Sequence, residues 1–286
     1  ATQGAPILVR GSLATHSPIE RKLRIARRHR RLPQPLVIVM SLKILLSGAK
    51  GRMGVAIASL SGEHGCEITH PIDIGDDPAQ GIADCDCVID FSLRDATRPL
   101  AELAGKHAKP MVIGTTGHDK EDRNAIEQTA SSIPMVWAGN FSTGVNLLFF
   151  LTQQASRVLD AESGFDPEVI EMHHRHKKDA PSGTAERLLE ILRESRSLTD
   201  EDVSHGRSGM VGERKPTEIG SHALRGGDVV GEHTVMFAGI GERIELTHRA
   251  TDRAIFAAGA LRAAKWVVNQ APGLYSMQDV LGLSAR

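Results

Sequence analysis

Residues 171–185 read EMHHRHKKDAPSGTA and set His173, His174 and His176 beside Lys177 and Lys178, just ahead of a Pro-Ser-Gly-Thr turn. Histidine and lysine are side chains that hold a transferable proton or a cation near neutral pH. The turn opens a segment of helical spacing with Ser182 as its cap, so the amides of Gly183 and Thr184 head a helix and offer a carboxylate site. A proton donor, a cation and an anion-binding turn together suit the reduction of an anionic, unsaturated substrate: hydride comes from a cofactor, and a proton must reach the atom that takes the charge. A solvated basic loop is the bland alternative, and the helix start that follows speaks against it. No metal centre is expected, because His173 and His174 are neighbours on an extended segment, point to opposite faces and have no cysteine nearby.

A second group of residues suits a dinucleotide. Gly48, Gly51 and Gly54 in GAKGRMG follow an apolar run and lead into helical spacing, where missing side chains let backbone N–H groups approach a pyrophosphate. The spacing is Gly-x-x-Gly-x-x-Gly, with Lys50 in the usual place of the middle glycine, and a purely structural turn would use the same residues. Asp73 ends the next apolar run, where an acid normally receives the ribose hydroxyls, and the two signals together predict dinucleotide binding. A carboxylate there repels a 2'-phosphate and Ile74 offers no cation, so NADH is expected to be preferred; Lys50 and Arg52 keep NADPH open. Gly114 to Thr116 and Ala138 to Ser142 add small residues, hydroxyls and an amide at two further strand ends, although ordinary turn chemistry reads equally well for each. Phe91 either packs beside the nicotinamide or fills core.

The elements that carry these residues alternate. LKILLS, ITHPIDIG, DCVIDFS, PMVIGTTG and IPMVWAGNFS read as strands, with helical spacing in RMGVAIASL, RDATRPLAELAGKHA and HDKEDRNAIEQTASS. That alternation predicts a Rossmann-like, doubly wound parallel sheet in an α/β chain. After a helix over NFSTGVNLLFFLTQQASRVL, strand-like segments cluster in FDPEVIEMHHRHK, HALRGGDVVGEHTVMFAG and GERIELTHRA, which predicts a second α+β domain with a mixed sheet. A last helix, RAIFAAGALRAAKWVVNQ, and a short tail return to the first domain. The expected partition is a basic extension over 1–39, a dinucleotide domain over 40–141 completed by 254–286, and a substrate-binding and oligomerising domain over 142–253.

Composition narrows the classes. With 41% apolar and 24% charged residues and a net charge of -1, the chain has no field to attract nucleic acid or an anionic membrane, and 3% aromatics leave few stacking platforms. No apolar run reaches the roughly 20 residues that span a bilayer. Cys66, Cys85 and Cys87 are too few and too irregular for a disulfide framework, so free thiols in a reducing, cytoplasmic setting are expected. Residues 1–39 hold Glu20 as their one acid against a run of arginines. That bias reads as an organellar transit peptide or, preferred here because MSLKILLSGAKGRMG is a complete domain start, as extraneous sequence before a start at Met40. A basic RNA-binding arm is a third reading with nothing downstream to support it.

GAKGRMG, VIGTTG, GNFSTGVN, EMHHRHKKDAPSGTA and GEHTVMFAGIGERIELTHRA, in that order from about Leu42 to the end, resemble the 4-hydroxy-tetrahydrodipicolinate reductase (dihydrodipicolinate reductase) family of lysine and diaminopimelate biosynthesis. The resemblance implies NAD(P)H-dependent reduction of a cyclic dicarboxylate, with His173 as proton donor and acceptor and Lys177 as a second donor. It implies that His174 touches substrate and that Gly183 and Thr184 bind a ring carboxylate. Gly48, Ala49, Lys50, Gly51, Arg52, Met53, Asp73, Gly114, Thr115, Thr116, Ala138, Gly139, Asn140 and Phe141 would hold the cofactor. A homotetramer joined through second-domain sheets, a closing hinge and no metal are also implied. Ile74 departs from relatives that carry a basic residue there, Gly139 replaces a frequent alanine or proline, and Lys178 has no assignable role. Another two-domain amino-acid dehydrogenase and a non-catalytic dinucleotide sensor are the rival readings.

Overall fold

The computed structural model describes residues 41–283, so the basic extension expected over residues 1–39 lies outside them. Strands β1 (Leu42–Ser47), β2 (Cys66–Ile72), β3 (Cys87–Asp90), β4 (Met111–Ile113), β5 (Pro134–Trp137) and β11 (Gly273–Tyr275) form one sheet in the order β11-β5-β4-β3-β1-β2. Every pairing in it is parallel. All residues of β3 and β4 are buried, as expected of parallel strands covered on both faces. Ile44, Leu46, Val112 and Val136 pack on one side with α1 (Arg52–Leu60) and the alanine-rich α6 (Ala254–Val267). Leu45, Val88, Met111 and Met135 pack on the other with α2 (Arg94–Lys106) and α3 (Lys120–Thr129). Because β1 lies between β2 and β3, the winding reverses there, and the carboxyl ends of β1 and β3 flank the crevice where such sheets bind ligands.

The second sheet is mixed. Its order is β10-β9-β6-β8-β7, from β6 (Asp166–His173), β7 (Val203–His205), β8 (Ile219–Arg225), β9 (Gly231–Ala238) and β10 (Arg243–Ala250). Strand β9 runs antiparallel to both β6 and β10, while β8 runs parallel to β6 and β7. Burial alternates strictly along β6 and β9, so one face packs under α4 (Thr143–Val158) and α5 (Gly183–Arg196). Along β6 that face passes from Val169 to Glu171 and His173, changing from apolar core to polar site within five residues. The opposite face presents Ile170, Met172 and Met236, each half-buried and covered by no helix of the described residues.

Periodicity in the sequence stops after α6 and predicts only a short tail. The structure instead adds β11 beside β5 and a helix α7 (Met277–Leu281), whose Ser276 and Asp279 cap each other's backbone. Met277 and Val280 of α7 are buried in the first sheet's core. Three-residue strands and one-turn helices carry too few residues to display a period, so this return segment is silent in the sequence.

Candidate active site

At the carboxyl ends of β1, β2 and β3 lies a cleft of about 740 Å³, lined by Gly48, Gly51, Asp73, Ile74 and Phe91 among others. Gly48 has φ +79°, and a Cβ there would stand 2.4 Å from the Phe91 carbonyl oxygen; a Cβ on Gly54 would stand 2.2 Å from the Gly48 oxygen. Glycine at these two positions is therefore demanded by the turn and by its contact with α1. Asp73 accepts the backbone N–H of Lys50 at 2.8 Å and of Ile74 at 2.9 Å. Those two bonds hold its carboxyl below the usual range, so it meets a ligand as an anion. Lys50 and Arg52 are exposed on the same turn, whereas Ala49 and Met53 lean on the core beneath. Phe91 packs in the core, its ring 5.4 Å from that of Phe141, and it also lines this first cleft.

The ends of β4 and β5 are organised from below by Asp90, which is fully buried. Its carboxylate accepts the Ser92 hydroxyl at 2.5 Å, the Thr97 hydroxyl at 2.7 Å and the Thr115 hydroxyl at 3.0 Å. Thr115 is thus committed to the fold, and Gly114 donates its N–H to the Asp90 carbonyl. Thr116, Ala138, Gly139 and Asn140 reach a second cleft of about 650 Å³, while the Phe141 ring points into the core.

That second cleft brings residues from the two sheets face to face. His173, Lys177, Ser182, Gly183 and Thr184 form its other wall, and the Asn140 side-chain amide donates to the Thr184 hydroxyl at 3.1 Å across the join. Ser182 caps α5 by accepting the Ala185 N–H at 3.2 Å, so Gly183 and Thr184 occupy the first turn, whose amides have no carbonyl one turn back. Lys177 pairs with Asp179 at 2.8 Å. His174 does not line the cleft; its ring faces that of His176, 6.3 Å away between centroids, and Lys178 is exposed. Burial and the nearby Arg253 push His174 down, so it stays neutral. Among the described residues no three His, Cys, Asp or Glu side chains are placed to hold a metal.

Several residues enter the site without a sequence signal. Phe149 and Gln153 of α4, Arg187 and Ile191 of α5, and Ser276 and Gln278 at α7 line the same cleft. Arg187 sits one turn beyond Gly183 and reads as an ordinary solvated helix charge. Behind His173, Glu171 is buried with 1% exposure and accepts from Arg225, Ser182 and His173. His233, on the neighbouring strand, meets the Ser182 hydroxyl at 3.1 Å; burial pushes it down to about 3 and the adjacent His173 adds to that.

The family model for the amino-terminal part of dihydrodipicolinate reductase matches residues 42–141, and that for its carboxyl-terminal part matches residues 144–281. A 4-hydroxy-tetrahydrodipicolinate reductase of Akkermansia muciniphila is 52% identical over 247 residues, 85% of this chain and 99% of the relative. One from Thiobacillus denitrificans is 44% identical over 268 residues, covering 85% of this chain and all of its own. Among solved structures, a dipicolinate-bound dihydrodipicolinate reductase from Paenisporosarcina sp. TG-14 shares the fold with a TM-score of 0.64 at 21% identity, over 84% of this chain and 99% of that one. With both parts of one family matched in order, and relatives similar along nearly their whole length, the chain belongs to the dihydrodipicolinate reductase family of oxidoreductases.

Proposed function

We propose that the chain reduces 4-hydroxy-tetrahydrodipicolinate to tetrahydrodipicolinate in lysine and diaminopimelate biosynthesis, with NADH as the favoured donor and His173 and Lys177 as the proton-transferring groups. The observation that carries the site assignment is that His173, Lys177 and the free α5 amides share one cleft with the ends of β4 and β5. The first cleft suits a dinucleotide: its glycine turn is held open at φ +79°, and its anionic Asp73 stands at the ribose end. Gly48, Gly51 and Asp73 would hold the adenosine and pyrophosphate part, with Lys50 and Arg52 on the same turn and Thr116 and Ala138 to Asn140 along the nicotinamide end. NAD(P)H bound there supplies the hydride.

The chain's own residues do the rest. Amides of Gly183 and Thr184 bind one ring carboxylate at the positive end of α5. Lys177 sets a positive charge beside the ring, and Asp179 fixes its ammonium. Once the 4-hydroxyl has left as water to give the conjugated ring, hydride adds to C4 and His173 delivers the proton to the adjacent carbon, with Lys177 as the second donor. Phe149 of α4 and Met277 of α7 line the same cleft and offer apolar surface beside the ring.

The test follows NADH and NADPH absorbance with substrate made freshly from pyruvate and aspartate semialdehyde by the preceding synthase. His173→Ala and Lys177→Ala should each lower kcat by about 10²- to 10⁴-fold, the usual contribution of a general acid, with NADH affinity unchanged. Equal loss of turnover and NADH binding would count against the assignments. A cytoplasmic homotetramer joined through the open face of the second sheet belongs to the same proposal; the three unpaired, buried thiols and the half-buried Ile170, Met172 and Met236 support it.

A further inference from the structure

Glu171 is a carboxylate buried two residues before His173 on the same face of β6, and the reduction itself does not use it. We propose that Glu171 and Arg225 are a positioning pair that holds the His173 imidazole with Nδ1 engaged, so that the transferred proton sits on Nε2. The proposal rests on His173 being the donor. Nδ1 lies 2.5 Å from Glu171 Oε2, while Nε2 has no protein partner among the described residues and the ring lines the cleft. A carboxylate accepts only, so Nδ1 is the donor of that bond and Nε2 is the nitrogen left for substrate.

The carboxylate itself has no freedom. Arg225 donates to Oε2 at 2.9 Å and to Oε1 at 2.8 Å, and the Ser182 N–H donates to Oε1 at 3.1 Å. Burial pushes the Glu171 carboxyl up, but the bonds from Arg225 and His173 outweigh it and hold the group ionised. Arg225 also donates to the Asp179 carbonyl at 2.7 Å, and Asp179 pairs with Lys177. One guanidinium thus braces the supports of both proton-transferring groups. Gly231 leaves Nε2 unobstructed, since a Cβ there would stand 3.0 Å from it. His233 packs edge-on to His173 at 5.1 Å and, being neutral, does not compete for the proton.

The charged and titratable groups that face His173 are Glu171 on its own strand, Arg225 from β8, His233 from β9, and His174 and Lys177 from the segment that follows. They give the two variants opposite signs. Glu171→Gln removes the negative charge that favours the imidazolium, so the limb on which kcat falls with rising pH should move to lower pH by about one unit. Arg225→Gln removes an opposing positive charge, so that limb should move to higher pH. Both should lower kcat, Glu171→Gln by about 10²-fold, with NADH affinity within about twofold of the parent.

The experiment measures kcat and KM against pH for the parent, both variants and His173→Ala, with NADH binding by fluorescence. Limbs displaced in opposite directions support the pair. Limbs that stay in place, or move together, overturn it. If His173→Ala turns over normally, the donor reading itself falls; if only Glu171→Gln does, the positioning role alone falls. Should a variant fail to fold, the parent protein still decides: labelled with ¹⁵N-histidine, it should show His173 protonated at Nδ1 with a far-downfield proton. Protonation only at Nε2 overturns the proposal.

Discussion

In the proposed function Asp73 and Ile74 would set the cofactor through what they lack as much as through what they offer. Asp73 is already an anion, tied by the Lys50 and Ile74 amides, and the exposed Ile74 brings no cation to its side. Replacing both, Asp73→Ala with Ile74→Arg, should raise the NADPH-to-NADH ratio of kcat/KM by at least about tenfold, since a hydrogen bond to a charged group is worth roughly 1.5–3 kcal/mol. An unchanged ratio in the absorbance assay would remove cofactor choice from these two positions. At this scale the glycine turn, Asp73, His173, Lys177, Gly183 and Thr184 were legible because each belongs to a short run whose spacing has a mechanism. Glu171 and Arg225 were not, being 54 residues apart and joined only by the parallel register of β6 with β8. His174, expected at the substrate through the family resemblance and read from the sequence as facing away from His173, does not line the cleft.

Strand β9 carries a pH dependence of its own. His233 is pushed down to about 3, against about 6.5 for a free histidine, because its buried ring is held neutral. A depressed folded-state value means stability that is complete above about pH 6.5 and declines as pH falls towards 3, by up to about 1.4 kcal/mol per unit. His174 and His248 are lowered by burial and add to the same trend, whereas Glu168 and Glu171, both lowered, add theirs only once pH falls into the ordinary carboxylate range. Thermal melts from pH 7 to pH 5 should therefore show a falling Tm, and His233→Asn should flatten that slope whatever it does to the starting value. A slope identical to the parent would mean that His233 is accessible to protons in the folded state. Among the elements, helices announced themselves by period and even the short buried strands β3, β4 and β5 by their apolar runs; β7, β11 and α7, of three to five residues each, have neither signal.

For the whole molecule, the open face of the second sheet is the place where assembly would occur. Met172→Lys with Met236→Lys should lower the mass seen by light scattering from that of a tetramer, because two charges would have to leave water for a sheet interface. A parent that is monomeric at the outset would remove the tetramer from the proposal. The order of elements along the chain also has a consequence for synthesis. Five strands of the first sheet leave the ribosome before any of the second, yet β11 and Ser276 to Gln278 follow all of them. Until they arrive, β5 is an unpaired edge and the reaction cleft lacks a wall. A nascent chain halted before Gly273 would hold His173, Lys177, Glu171 and Arg225 and still lack the stretch of wall that Ser276 to Gln278 give the cleft.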